Sequence, residues 1–429
     1  MKILIIGGGG REHALAWKAA QSSLASEVFV APGNAGTDLE PALTNIDIAA
    51  EDIQGLLDFA KQESIGLTIV GPEQPLVDGI VDIFTEAGLK CFGPSAAAAQ
   101  LEGSKAFTKD FLERHHIPTA SYGKFTEIES AKAYVQQQGA PIVIKADGLA
   151  AGKGVIVAMT EAEAFTAIED MLEGNRFGAA GSRVVIEEFL EGEEASFIVL
   201  VDGKNILAFA TSQDHKARDN GDKGPNTGGM GAYSPAPVVN EEIHQRIMQE
   251  VIIPTVEGMA AENNPYTGFL YAGLMISASG EPKVIEYNCR FGDPETQPIM
   301  MRLQSDLVAL CLSAMNKTLD QQSIEFDQRA ALGVVLAAGG YPDSYQKGAV
   351  ISGLETELED AKIFHAGTRK DSDEVVTNGG RVLCVVALGD NVAIAQKKAY
   401  QAVNKVIFND VYYRTDIGYR AVARGGTGI

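Results

Sequence analysis

Ile142-Val-Ile-Lys-Ala-Asp-Gly-Leu-Ala-Ala-Gly-Lys-Gly-Val-Ile-Val-Ala158 is the stretch on which the architecture of this chain turns. Two β-branched runs flank a glycine-rich turn, and the Gly152-Lys153 pair invites comparison with a phosphate-binding P-loop. That motif requires G-x-x-x-x-G-K-[ST] between a strand and a helix. Here Gly148 and Gly152 stand one residue too close, Gly154 replaces the hydroxyl residue, and a strand follows. The pattern predicts a hairpin of residues 142–145 and 155–158 whose turn is a mobile lid. Its backbone N–H groups would fold over nucleotide phosphates, with Lys145 as a point charge on the first strand. Taken alone, the residues fit a flexible surface hairpin with solvated lysines equally well.

The segment Lys283-Val-Ile-Glu-Tyr-Asn-Cys-Arg-Phe-Gly-Asp-Pro-Glu295 gives the lid something to close on. On a strand, Glu286 and Asn288 lie two apart and share a face, with Arg290 just beyond. Two hard oxygen donors on one face suit magnesium, which keeps waters and borrows phosphate oxygens. An arginine there suits a transferring phosphoryl group or a carboxylate. An edge strand with alternating polar residues is the plainer alternative, but it leaves three alternate positions without an apolar residue. Between the two segments, Glu187-Glu-Phe-Leu-Glu-Gly-Glu-Glu194 ends a strand and offers Leu190 and backbone groups to an adenine. A charged run of this kind is more often a solvated loop. His215 lies in a polar loop and is expected to hydrogen-bond, with no role as a catalytic base.

Toward the N-terminus the pattern changes to alternating strands (residues 3–6, 27–30, 67–70, 90–92) and helices (11–20, 56–62, 77–87), which predicts a parallel α/β sheet. Ligands of such sheets sit beyond the strands' carboxyl ends, where this chain carries Gly7–Gly10, Pro32–Asn34, Gly71–Glu73 and Gly93–Ser95. The run Gly7-Gly-Gly-Gly10 lacks the third glycine of a dinucleotide fingerprint, and no acid ends the second strand. A phosphate monoester at a helix N-terminus fits better, and a turn that merely closes a tight connection is the alternative. Further along, the pattern predicts helices at 161–172, 241–263 and 392–405 and strands at 183–188, 269–278, 283–287, 332–337 and 380–386. Residues 211–237 have too many glycines and prolines for regular structure.

The composition is that of a soluble globular protein, 45% hydrophobic and 21% charged. The formal charge of −22 opposes binding to nucleic acid or an anionic membrane surface. Neither a signal peptide nor a membrane-spanning stretch is legible. Cys91, Cys289, Cys311 and Cys384 form no C-x-x-C pair and read as reduced thiols of a cytoplasmic protein.

Several motifs in order, namely Gly10-Arg-Glu-His-Ala14, Leu101-Glu-Gly-Ser-Lys105, the 145–154 turn, Gln213-Asp-His-Lys216, Gly224-Pro-Asn-Thr-Gly-Gly-Met-Gly-Ala-Tyr233 and above all Arg290-Phe-Gly-Asp-Pro-Glu-Thr-Gln297, make the chain resemble the phosphoribosylamine–glycine ligase family of ATP-grasp enzymes over essentially its whole length. The resemblance implies a multidomain α/β and α+β protein. An N-terminal parallel α/β domain would span 1–103 and an ATP-grasp core 104–325, with a mobile lid subdomain at 120–190. A small C-terminal domain would span 326–429. It further implies a monomeric ligase using ATP and Mg2+ or Mn2+ on the small molecules glycine and 5-phosphoribosylamine. Lys105, Lys145, Gly148, Gly152, Lys153 and Gly154 would meet the ATP phosphates, Glu187 and Leu190 the adenine, and Glu194 the ribose. Glu286 and Asn288 would hold the metal. Asp214, Asn226 and Arg290 would line the glycine and amine pocket, with Arg290, Asp214 and Lys145 catalytic. Gly8, Gly9, Gly10, Asn34 and Glu73 would face the sugar phosphate. Two departures stand out: many relatives read Gly-Asn-Gly-Gly where this chain has Gly7–Gly10, and Tyr271–Ile276 supplies no further metal carboxylate. Within the superfamily, a carboxylase of the biotin or aminoimidazole type is the rival enzyme, and a non-catalytic nucleotide-binding regulator is the rival from another class.

Overall fold

The computed structural model describes residues 1–150, 154–173, 181–355 and 359–425. At the N-terminus β1 (Lys2–Gly7), β2 (Glu27–Pro32), β3 (Leu43–Asn45), β4 (Leu67–Val70) and β5 (Cys91–Phe92) form a parallel sheet in the order β3-β2-β1-β4-β5. Residues Ile3 to Ile6 of β1 are fully buried, as a central strand covered by helices on both faces requires. The carboxyl ends carry the Gly8–Gly10 turn, Asn34 and Glu73. Helices Glu73–Val77 and Ile80–Glu86 replace the single helix expected at 77–87. Gly79 between them is left-handed (φ 89°), a conformation that ends one helix and opens the next.

The lid sheet holds β6 (Tyr122–Phe125), β7 (Ile142–Ala146), β8 (Val155–Ala158) and β9 (Val184–Glu188) in the order β6-β9-β7-β8. The β7–β8 pair is the antiparallel hairpin read from the sequence, with Lys145 opposite Val155. The helix Glu161–Leu172 covers this sheet, burying Ala164, Ala167, Ile168 and Met171.

β10 (Glu193–Asp202) and β11 (Ile206–Ala208) begin the central sheet. The next segment, expected to be irregular, contributes β12 (Gln213–Asp214), β13 (Ala217–Asp219), β14 (Lys223–Asn226) and β15 (Gly231–Ser234). That expectation is corrected: β13 and β14 pair with each other, while β12 and β15 join the C-terminal sheet. Gly221 between β13 and β14, and Gly229 between β14 and β15, have positive φ and turn the chain between these short strands. The helical stretch 241–261 contains a π-turn over Met248–Ile252 just before Pro254. A proline has no N–H to complete the α-helical ladder there, so the ladder widens locally. β16 (Thr267–Ile276) and β17 (Pro282–Asn288) complete the central order β11-β10-β16-β17.

β18 (Ala330–Ala337), β19 (Ala361–His365) and β22 (Arg381–Gly389) form the C-terminal sheet β12-β15-β18-β22-β19, and the hairpin β20 (Thr368–Asp371) with β21 (Glu374–Thr377) stands beside it. One apolar core joins the N-terminal strands to β10, β16 and β17, so the central sheet and the parallel sheet share buried residues such as Leu4, Val70, Phe197 and Val284. No helix among the described residues is long and apolar enough to cross a membrane.

Candidate active site

Glu286, Asn288 and Arg290 all line one cavity, together with Lys105, Lys145, Glu187, Ala150 and Gly154. The face predicted from the period-2 pattern is therefore built, and Leu149, Ala150 and Gly154, on either side of the undescribed residues 151–153, line the same cavity. The register slips between Gly273 and Leu274, leaving Ile285 as the extra residue of a β-bulge. The bulge turns Ile285 and Glu286 toward the cleft together: Glu286 reaches the polar cavity, and both border an apolar chamber.

The lysines are fixed by carboxylates and carbonyls. Lys145 Nζ donates to Ile285 O at 3.0 Å and lies 2.9 Å from Glu187 Oε1. Lys109 Nζ sits 2.9 Å from the other oxygen of Glu187 and donates to Thr119 Oγ1 at 2.7 Å. Burial pushes the Lys109 ammonium down to about 8 against the pull of Glu187. Glu187, 4% exposed, is thus held between two lysines, which engage both of its carboxylate oxygens. Lys109 was missed in the sequence, where a lysine in the middle of a helix reads as a solvated one. Lys105 opens the helix Lys105–Arg114 and donates to Gly148 O at 3.0 Å, so the base of the lid is tied to that helix. Gly152 and Lys153 lie outside the described residues.

Beside this cavity the apolar chamber is walled by Val143, Val155, Val157, Leu190, Met275 and Ile285, with Glu194 and Lys216 on its polar side. Its flat aliphatic walls suit a purine ring. Leu190 and Glu194 are here, as the hinge reading expected, and Asn226 borders the same chamber. Lys216 Nζ lies 3.4 Å from both Glu194 Oε2 and Glu286 Oε1. Lys216, together with Lys145, Lys105 and Arg290, outweighs burial and brings the Glu286 carboxyl down to about 2. Next to it, burial raises Asp214 well above the usual carboxylate range; Lys216 opposes this, while Glu295, Glu194 and Glu286 reinforce it. His215 is engaged in the fold, as expected: its Nε2 accepts from the Gly418 N–H at 2.9 Å, and burial lowers its pKa.

Arg290 is gripped by two acids. Its Nη2 is 2.8 Å from Glu102 Oε1 and its Nε donates to Glu73 Oε2 at 3.2 Å. Glu102, which also accepts the Cys289 N–H at 2.7 Å, is pushed up to about 7 by burial despite the arginine. Glu73 is brought down to about 2, chiefly by Arg290. Glu102 was missed as well, although it lies inside the Leu101–Lys105 motif.

The glycine turn is less open than the sequence suggests. Gly9 N donates to Glu12 Oε2 at 2.7 Å, so one N–H of the helix start Gly10–Ala19 is already satisfied. Asn34 Oδ1 accepts from Gly36 and Thr37, and its Nδ2 donates to Gly8 O and His365 O, both at 2.9 Å. All of its side-chain hydrogen-bonding capacity goes to the fold. A Cβ on Gly8 would sit 2.6 Å from Gly33 O, which explains why a side chain there would require the turn to shift. Gly8–Gly10 and Asn34 are not in the Glu286 cavity; Glu73 is, and it reaches back to Arg11 Nη1 at 3.9 Å.

One carboxylate and one amide oxygen, from Glu286 and Asn288, form a hard-oxygen pair open to the cleft, and no side-chain hydrogen bond engages Asn288 among the described residues. No cluster of three or more His, Cys, Asp and Glu suited to a metal occurs among the described residues. That donor set fits Mg2+ sharing its shell with phosphates and water, and does not fit a tetrahedral zinc site.

Residues 1–102, 103–296 and 331–420 match the models of the N domain, the ATP-grasp (A) domain and the C domain of phosphoribosylglycinamide synthetase. The chain is 69% identical to the phosphoribosylamine–glycine ligase of Vibrio vulnificus and 67% identical to that of Escherichia coli K12, in each case over 99% of both chains. Among solved structures it is similar to phosphoribosylamine–glycine ligase from Thermotoga maritima, with 35% identity, a TM-score of 0.84 and coverage of 97% of this chain and 100% of the other. The biotin carboxylase domain of a 2-oxoglutarate carboxylase from Hydrogenobacter thermophilus, at 17% identity and a TM-score of 0.74 over 96% of this chain and 91% of that one, shares the fold.

Proposed function

This chain belongs to the phosphoribosylglycinamide synthetase family, and on that premise we propose that its cleft joins glycine to 5-phosphoribosylamine. It is an ADP-forming carbon–nitrogen ligase of purine biosynthesis. The observation that carries the site reading is the gathering of Lys105, Lys145, Glu286, Asn288 and Arg290 around one cavity under the glycine turn.

The glycine carboxylate attacks the γ-phosphorus of ATP, the bond to the β–γ bridging oxygen breaks, and ADP leaves glycyl phosphate behind. The amine of phosphoribosylamine then attacks the acyl carbon, inorganic phosphate departs, and the amide nitrogen loses one proton to solvent. Lys105 and Lys145 hold the triphosphate, and Arg290 faces the carboxylate that becomes the acyl phosphate. Leu190 and the aliphatic walls receive adenine, Glu194 takes the ribose hydroxyls, and Asp214 with Asn226 lines the amino-acid side. Glu286 and Asn288 would hold magnesium, which when bound would supply neutralisation of the triphosphate charge. Gly148 and Gly154 close the turn over the intermediate and keep water from hydrolysing it. Gly8–Gly10 and Glu73 border the sugar-phosphate side. Hard-oxygen donors also accept Mn2+. Four unpaired, buried cysteines suit a cytoplasmic setting, and like-charge repulsion at −22 suits a monomer.

Glycine labelled with 18O in its carboxylate tests the pathway. Transfer of one label to inorganic phosphate supports glycyl phosphate, and phosphate free of label contradicts it.

A further inference from the structure

Asp214 and Lys216 are carried on a segment whose neighbours are held from the far end of the chain. His215 Nε2 accepts the Gly418 N–H at 2.9 Å, and its Nδ1 lies 3.5 Å from Asp222 Oδ1. Ala217 O accepts from Arg414 Nη1 at 3.0 Å. Lys216 is therefore flanked on both sides by residues that the C-terminal segment grips. Arg414 has 0% exposure, the largest side chain buried so completely among the described residues. Its Nη1 is 2.9 Å from Asp222 Oδ1, and its Nε and Nη2 donate to Asp416 at 2.8 and 2.9 Å.

The same two stretches are stitched elsewhere. Asp416 accepts the Gly221 N–H at 2.7 Å, Asn220 and Thr415 exchange hydrogen bonds at 2.7 and 3.0 Å, and Tyr412 and Tyr419 hydroxyls donate to Asp219 and Asp222. A buried guanidinium satisfied this fully is rigid, because moving it would strand a charge away from water.

We infer that Arg414 is a positioning residue for the ligase reaction: through Ala217 O and the Asp222–His215 contact it sets where Asp214 and Lys216 stand. The C-terminal segment thereby forms part of the amino-acid side of the active site, although none of its residues touches substrate in this assignment. The inference rests on the reading that Asp214 lines the glycine pocket. A methionine at 414 fills the space but releases Ala217 O, Asp222 and Asp416 together; a lysine keeps one charge and satisfies fewer partners.

The test is steady-state kinetics of the full-length chain for Arg414→Met, Arg414→Lys, Asp222→Asn and Asp214→Asn, with glycine and ATP varied separately and thermal midpoints recorded. Misplacing an active-site group by a fraction of an ångström to an ångström raises the glycine KM by about 10- to 100-fold in Arg414→Met, with a several-fold smaller rise in the ATP KM, because Lys105 and Lys145 lie on other elements and only Lys216, beside Glu194 and Glu286, moves on the ATP side. Arg414→Lys recovers part of the loss. Asp222→Asn, the variant to rely on if Arg414→Met does not fold, moves the glycine KM in the same direction by less. Folded Arg414→Met and Asp222→Asn with unchanged glycine KM, or with glycine and ATP KM shifted alike, overturn the inference while Asp214→Asn still raises glycine KM. An Asp214→Asn chain with unchanged glycine KM removes the underlying reading instead.

Discussion

Lys216 Nζ lies 3.4 Å from Glu286 Oε1, so the carboxylate best placed for a metal is already balanced by a cation from the loop segment. Lys145, Lys105 and Arg290 add to that balance and hold the Glu286 carboxyl at about 2. The cleft is a mixed-charge site, and in the proposed reading that balance suits a tetraanionic nucleotide with its cation.

Glu286→Gln tests that arrangement. It removes a charged oxygen donor but little volume. Turnover falls by about 10²–10³-fold, the scale of losing one electrostatic stabiliser, while ATP binding persists because the lysines remain. A kcat assay paired with ATP titration measures both; equal loss of kcat and of ATP binding contradicts the assignment.

Glu187 joins Lys145 and Lys109 at 2.9 Å each, with all three side chains nearly fully buried. Glu187→Gln leaves two buried ammonium groups without their counter-ion, which costs about 3–5 kcal/mol. Urea unfolding gives the number. A loss under about 1 kcal/mol means that water reaches the lysines.

How much of this was readable in the residues varies with the kind of signal. The 142–158 hairpin and the 286–290 face were legible because period-2 patterning states which side chains share a surface. The burying of Lys109 and Glu102 was not, since long-range pairing across elements far apart in sequence leaves no local period. The 211–237 segment was misread because its strands are short and bounded by glycines that look like loop when counted singly; what orders them is pairing with β18 and contact with residues 412–419. Asn34 was read as ligand-facing, yet the Asn-x-x-Thr spacing at 34–37 is a capping pattern that the structure uses.

Glu102 gives a pH signature. Burial holds it at about 7 against an ordinary 4.5. Between those values the folded state keeps a proton that the unfolded chain has released, so this group's contribution makes stability fall as pH rises from about 4.5 to about 7. In Glu102→Gln that slope disappears. Urea midpoints of both proteins at pH 5 and pH 7.5 decide: the midpoint difference, wild type minus variant, drops across the window, and a constant difference rules the idea out.

Gly8→Asn adds a side chain at a place where its Cβ would meet Gly33 O at 2.6 Å. The turn must shift, which costs about 1–3 kcal/mol as overpacking. A lowered thermal midpoint is expected; an unchanged or raised one shows that the turn yields freely.

The most direct measurement is ADP release from MgATP by the full-length chain with glycine, alanine, serine or bicarbonate, each with and without phosphoribosylamine. The cleft described here predicts release that needs glycine and phosphoribosylamine together. Release driven by bicarbonate without glycine, or none under any of these conditions, contradicts it.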